Sequence, residues 1–315
     1  MEKCYKIENL YTNERGAYGL RNSYCLPFLS FLGEYFDSRD ILVFQENFLE
    51  MTSKEIMEKY DLSEKDLENI LKKYVISGIK NGATEMNIVS LSPTVTKRVL
   101  EEFGVGGKTL IRAKDIEVIP KIYKEFGGLL GVAVDPYTDG DDLTNEVSEV
   151  CGKYKLPVYV TLYNDLEKTG MLNSLFNKPP INYIEDVGLL DRECYIYGGI
   201  CADKDDFSVM ASYGAKVIVS PYDFLNLGQG IANICAMQGS GVTVQLASPI
   251  NNDIIEEIRL AGALNRGLLS DCEVLSASEV LELALSKKER IKLAGDYSLV
   301  YEECEKIMER IKEKI

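Results

Sequence analysis

The chain has 315 residues, 46% of them hydrophobic, which is enough to bury one large core. Fifty acidic against 35 basic residues give a net charge of −15, a field that repels phosphate backbones and anionic headgroups and so argues against nucleic acid and membrane surfaces as partners. With no apolar signal core in MEKCYKIENLYTNERG, no bilayer-length apolar run and eight cysteines without a CxxC pair, a cytoplasmic protein with reduced thiols is expected.

Short β-branched runs alternate with helical patterns along the chain, the signature of repeated βα units around parallel strands. The strands are expected within GLRNSYCLP, ATEMNIVS, KTLIRA, LLGVAVDP, LPVYVTLYN, CYIYGGI, AKVIVSP and VTVQLAS. Between them, Thr52 with Glu55 makes a capping box, and Leu67, Ile70, Leu71, Tyr74 and Val75 recur at helical spacing before Gly78. GVGGKT at Gly104 to Thr109 has Glu102 where a phosphate loop needs glycine and leads into a strand, so it is read as a turn. LNLGQG at Leu225 to Gly230 is likewise read as a turn. Ser276 with Glu279 repeats the capping box ahead of Val280, Leu281, Leu283 and Ala284. In the last stretch Val300, Cys304, Ile307 and Ile311 form one stripe, expected to pack on the barrel exterior or on a partner. Eight βα units predict an α/β fold, a single (β/α)8 barrel of TIM type. The expected organisation is an N-terminal segment 1–18, the barrel over 19–290 and a C-terminal helix in 291–315.

Four separated segments resemble the amidohydrolase superfamily, nearest to its nucleoside- and purine-type deaminases. GLRNSYCLP is similar to that family's first strand, where a Gly-Leu-x-Asn lead precedes a His-x-His metal pair. DPYTDGDDL resembles its Pro-Tyr-Thr loop after strand four, through Pro136, Tyr137 and Thr138. VIVSPYDFLNLGQGIANI resembles the stretch after strand seven, through Pro221, Leu225, Leu227, Gly228, Gly230, Ile231 and Ala232. VTVQLASPINNDIIEEIRLAGAL is similar to strand eight and its helix, with Asn251, Asn252, Asp253, Glu256, Glu257 and Arg259 in step. The resemblance implies a barrel whose accompanying β-sandwich is reduced or absent.

Carried over residue by residue, the implied metal site has lost its ligands, as a chain without histidine requires. Tyr24 and Leu26 stand in the first-strand histidine places, Thr161 in the fifth-strand place, Gly198 in the sixth, and Pro249 where the family's catalytic aspartate stands; Asn164 replaces the acidic residue after strand five. None is a normal zinc donor, and Pro249 cannot move a proton for an attacking water. No metal and no other cofactor is therefore expected. Asp135, Asp139, Asp141 and Asp142 cluster after strand four, but their spacing departs from a calcium loop, and a solvated turn with helix N-cap charge is expected. Cys25 and Cys201 lie near predicted strand ends without a base to activate them.

The implied function is a catalytically degenerate barrel, a pseudoenzyme that binds a small polar or heterocyclic ligand or serves as a non-catalytic regulatory or partner subunit. The alternative is a deaminase-like hydrolase of C–N bonds, or new chemistry, using residues outside the family's set such as Asp135 or Cys201. Candidate ligand-binding residues at strand ends are Tyr24, Asp135, Tyr137, Thr161 and Asn164, then Gly198, Cys201, Tyr222 and Asn226, with no catalytic or metal-binding residue assigned. The partners this reading admits are a small molecule, a second copy, or an active homologue.

Overall fold

A computed structural model of the chain describes residues 5–6, 11–13, 16–34, 41, 48–286, 290–291 and 298–312. Cys4 and the greater part of the 1–18 segment lie outside the described residues. All eight expected strands form: β1 Gly16–Cys25, β2 Ala83–Ser90, β3 Thr109–Arg112, β4 Leu130–Val134, β5 Val158–Leu162, β6 Cys194–Gly198, β7 Lys216–Val219 and β8 Thr243–Leu246. They pair in chain order, each parallel to the next, in one curled sheet of TIM-barrel type. β4, β5 and β6 are buried at every position, because helices cover one face of the sheet and the barrel interior covers the other.

The helices are α1 Pro27–Gly33, α2 Ser53–Lys59, α3 Glu64–Lys80, α4 Pro93–Phe103, α5 Ile119–Phe126, α6 Pro136–Tyr154 and α7 Leu166–Phe176. They continue as α8 Pro180–Asp186, α9 Lys204–Ser212, α10 Pro221–Asn226, α11 Ile234–Gly239, α12 Ile254–Leu269, α13 Ala277–Glu282 and α14 Ser298–Lys312. Both expected capping boxes are present, at Thr52 with Glu55 and Ser276 with Glu279. GVGGKT is the turn from α4 into β3, as read. Gly78 does not end its helix; α3 runs on to Lys80. The glycine is there for close packing, since a Cβ at residue 78 would lie 2.4 Å from Met86 Cε and 2.9 Å from Asn252 Oδ1. Of the final stripe, Cys304, Ile307 and Ile311 are buried and Val300 is half-buried. α14 lies against α3 on the barrel exterior, with Arg310 paired to Asp66 at 2.8 Å.

The barrel closes between β8 and β1 without a strand ladder. The Asn22 carboxamide substitutes for one: its Oδ1 accepts from Ser248 N at 2.9 Å and its Nδ2 donates to Ser248 O at 2.9 Å. Above it, Leu26 N donates to Pro249 O at 3.2 Å, and the Tyr74 hydroxyl sits 3.2 Å from both the Ser248 and Pro249 carbonyls. Below it, the segment after α13 is wedged between the two strands. Leu246 N donates to Leu283 O, Arg21 N donates to Ala284 O, and Leu285–Ser286 pairs antiparallel with Gly19 and Leu20. Asn22 thus satisfies two buried backbone groups that a parallel neighbour would otherwise take. An N22A substitution leaves the Ser248 N–H unpaired and the Ser248 carbonyl with only the Tyr74 hydroxyl, and should lower the free energy of unfolding by about 2 kcal/mol. Urea denaturation measures this; a loss under about 1 kcal/mol would mean that the ladder is not held by the side chain.

Candidate functional site at the barrel mouth

The places that the family resemblance gives to metal ligands come together at the C-terminal end of the barrel. Tyr24, last but one in β1, faces inward, where its hydroxyl meets Thr161 of β5 and its ring stacks on Tyr197 of β6 at 4.8 Å between centroids. Tyr159, a register partner of Tyr195, continues the stack below at 6.3 Å from Tyr24 and 4.4 Å from Tyr195. These rings fill the barrel interior. Burial raises the Tyr24 hydroxyl far above the ordinary phenol range, so it stays neutral. Gly198 does not open a space beside them. Its φ of +131° and the 2.2 Å that would separate a Cβ from Leu162 O reflect backbone brought into direct contact, with Asn164 packed on the same spot. Beside Tyr24 and Thr161 remains a cavity of about 30 Å³, room for roughly two waters.

Its other wall is charged. Arg112 ends β3 and is 4% exposed. Its guanidinium lies over the Phe48 ring at 4.3 Å, and its Nη2 donates to the Phe48 and Met51 carbonyls. Nη1 stands 3.7 Å from Asp115 Oδ2, beyond hydrogen-bond reach, and is otherwise unpartnered. Asp135 is the N-cap of α6, accepting from Tyr137 N at 3.0 Å. Asp139, one turn on, accepts from Asp135 N at 2.9 Å and lies 3.5 Å from Lys114 Nζ. Asp135 and the Asp139 carboxylate are buried, and the expectation of a solvated turn holds for Asp141 and Asp142 further along, both exposed. The helix-capping part of that expectation is correct. Burial, and then the charge of Asp139, lifts the Asp135 carboxyl to about 6, against the opposing pull of Lys168 and the α6 amides.

The remaining candidates divide. Tyr137 is 39% exposed on the rim, with its hydroxyl 3.2 Å from Met171 Sδ. Cys201 is half-buried behind β6, and burial raises its thiol above the ordinary value. Cys25 is fully buried and pushed up to about 12, so neither cysteine supplies a thiolate. Tyr222 and Asn226 belong to a different cavity of about 270 Å³, off the barrel axis between α1, α3 and the loops after β7 and β8; Phe31, Ser77, Ile250 and Asn251 also line it. Arg112, Lys114 and Asp139 escaped the candidate set. The available signal was an arginine closing an apolar strand run, KTLIRA.

The donor set does not fit the zinc that the resemblance implies. Tyr24, Leu26, Thr161, Gly198 and Pro249 offer no imidazole, thiolate or carboxylate, and among the described residues no three Cys, Asp or Glu side chains converge as a metal site.

No family model matches the chain. It is 28% identical over 195 residues to the 5-methylthioadenosine/S-adenosylhomocysteine deaminase of Bacillus cereus strain B4264, a match covering 59% of this chain and 45% of that protein. The chain thus matches less than half of that relative's length. Among solved structures, the zinc-bound adenosine deaminase of Xanthomonas campestris superposes with a TM-score of 0.77 at 14% identity, covering 94% of this chain and 85% of that one. Guanine deaminase from C. acetobutylicum, solved with guanine in its active site, gives 0.67 at 17% identity over 94% and 81%. The fold is thus the one seen in deaminases of the amidohydrolase superfamily, and part of the sequence is similar to one such deaminase.

The buried carboxyl at Asp135 makes stability depend on pH. A group that binds its proton more tightly in the folded state favours folding fully below its unfolded value, about 4, and that contribution is lost as pH rises through about 6. The two-unit shift corresponds to about 3 kcal/mol. D135N, whose amide oxygen still accepts from Tyr137 N, should match wild type near pH 4 and exceed it by up to about that amount at pH 8. Urea unfolding across this range checks the difference, and parallel pH profiles would contradict it.

Proposed function

We propose that this chain is a catalytically degenerate, metal-free member of the amidohydrolase superfamily that binds a small polar or heterocyclic molecule without converting it, as a regulatory or partner subunit. The observation that carries the reading is the Tyr24 ring. It occupies the first-strand ligand place, meets Thr161 in the fifth-strand place and stacks beside Gly198 in the sixth. Tyr24, Thr161 and Tyr197 thus fill the space at these places, and the cavity of about 30 Å³ that remains is too small for a heterocycle. A ligand of that size is accommodated by the rim cavity of about 270 Å³, beside Tyr222 and Asn226.

The test uses untagged protein. Elemental analysis should find no stoichiometric zinc or iron, and incubation with 5-methylthioadenosine, S-adenosylhomocysteine, adenosine or guanine should release no ammonia. A binding-only ligand at a hundred times its Kd stabilises the fold by about 2.7 kcal/mol, readable as a thermal shift. Bound transition metal, or ammonia release surviving in wild type, would overturn the reading.

One observation favours a C–N hydrolase instead. Asp135, held near neutrality beside Arg112 and Lys114, has the proton affinity of a general acid–base. In that reading ammonia release is present in wild type and falls by at least about 100-fold in D135N.

A further inference from the structure

Two carboxyl groups are buried together at the ends of β7 and β8. Asp223 of α10 is 1% exposed and Glu257 of α12 is 0% exposed. Neither forms an ion pair with any lysine or arginine among the described residues. Between them stands the hydroxyl of Ser220, 3.2 Å from Asp223 Oδ2 and 3.1 Å from Glu257 Oε1. A serine hydroxyl carries one hydrogen and can donate to only one of these oxygens. The second contact is a hydrogen bond only when the carboxyl itself carries a proton and donates it to Ser220 Oγ. For both contacts to be hydrogen bonds, one acidic proton must lie in the Asp223–Ser220–Glu257 bridge.

The remaining lone pairs hold backbone. Glu257 Oε2 accepts from Tyr222 N at 2.8 Å, and Asp223 accepts from Ile250 N at 2.9 Å and Asn251 N at 3.2 Å. The Tyr222 amide lies in the first turn of α10, in the connection after β7, and those of Ile250 and Asn251 in the loop after β8; both connections wall the rim cavity, through Tyr222, Asn226, Ile250 and Asn251. The groups facing the pair are the Tyr197 hydroxyl of β6, the Tyr74 hydroxyl of α3, Ser248 after β8, and Glu256 on α12, itself engaged by Asn251 Nδ2 at 2.8 Å. None is a cation. Burial lifts both carboxyls, Asp223 to about 6, and the Asp223 charge lifts Glu257 further, so the proton sits on Glu257.

We propose that Ser220, Asp223 and Glu257 form a one-proton latch that holds together the two connections walling the rim cavity, and that loss of this proton at alkaline pH releases them. With both carboxylates ionised, one contact to Ser220 becomes lone pair against lone pair and two like charges face each other without a counter-ion. The amides of Tyr222, Ile250 and Asn251 are then the first to lose protection.

Hydrogen exchange of the full-length chain tests this residue by residue. Between pH 6 and pH 9, after correction for the intrinsic rate, exchange at Tyr222, Ile250 and Asn251 should rise by about tenfold or more in wild type, while the amides of β4 stay unchanged. E257Q keeps an acceptor for Tyr222 N and a permanent donor for Ser220, and should abolish the rise. Wild type without the rise, or E257Q rising as wild type does, would overturn the latch. Should E257Q fail to fold, 13C labelling of aspartate and glutamate carboxyls in wild type decides: one carboxyl remains protonated at pH 7.5 if the latch exists, and all are ionised if it does not.

Discussion

A parallel barrel is only as sound as the seam where its last strand meets its first, and here that seam is centred on one side chain. Asn22 and Ser248 are 226 residues apart in sequence, and the carboxamide joins them by mimicking a peptide group, one donor and one acceptor in the geometry of a ladder rung. The wedge of Leu283 to Ser286 completes the seam below, and the Tyr74 hydroxyl caps it above. The position of Tyr24 relative to Thr161 and Tyr197 depends on that closure, because β1 reaches them only across the barrel interior. So does the latch, since Ser248 and Ile250 follow directly from the strand that Asn22 holds.

At the places where the resemblance puts metal ligands, the structure has packed side chains and backbone. An emptied metal site would leave a cavity lined by dipoles, which costs free energy through lost contacts and unpaired groups. Tyrosine suits position 24 because its ring buries a large area while its hydroxyl faces Thr161. Gly198 allows the β6 backbone to close on Leu162 and Asn164 where a side chain would intrude. The interior stack of Tyr24, Tyr197, Tyr159 and Tyr195 is the result.

Charge within the barrel end follows a consistent rule. Acids buried there are held by backbone amides and by one another rather than by lysine or arginine alone: Asp135 caps α6 and backs onto Asp139, while Glu257 and Asp223 share Ser220. Amide dipoles stabilise a carboxylate less completely than water does, so each such group retains its proton to higher pH than an exposed acid. The mouth of this protein is consequently more sensitive to pH than its strongly acidic surface suggests.

Local pattern alone determined much of this architecture. The eight strands, the capping boxes at Thr52 and Ser276, the turn at Gly104 and the stripe on the last helix are consequences of period and punctuation, which are properties of neighbouring residues. That no imidazole is available to any site was also legible, because the composition contains no histidine. Tertiary structure decided what faces what. It placed Tyr24 and Asp135 in one small cavity and Tyr222 and Asn226 in another, brought Arg112, Lys114 and Asp139 to the first, and showed Gly78 as a packing position inside a helix. It also converted Asn22, seen in sequence only as the lead to an absent metal pair, into the closure of the barrel. These outcomes depend on contacts between residues tens to hundreds of positions apart. No periodicity encodes such contacts, because they exist only once the sheet has curled and β8 lies beside β1.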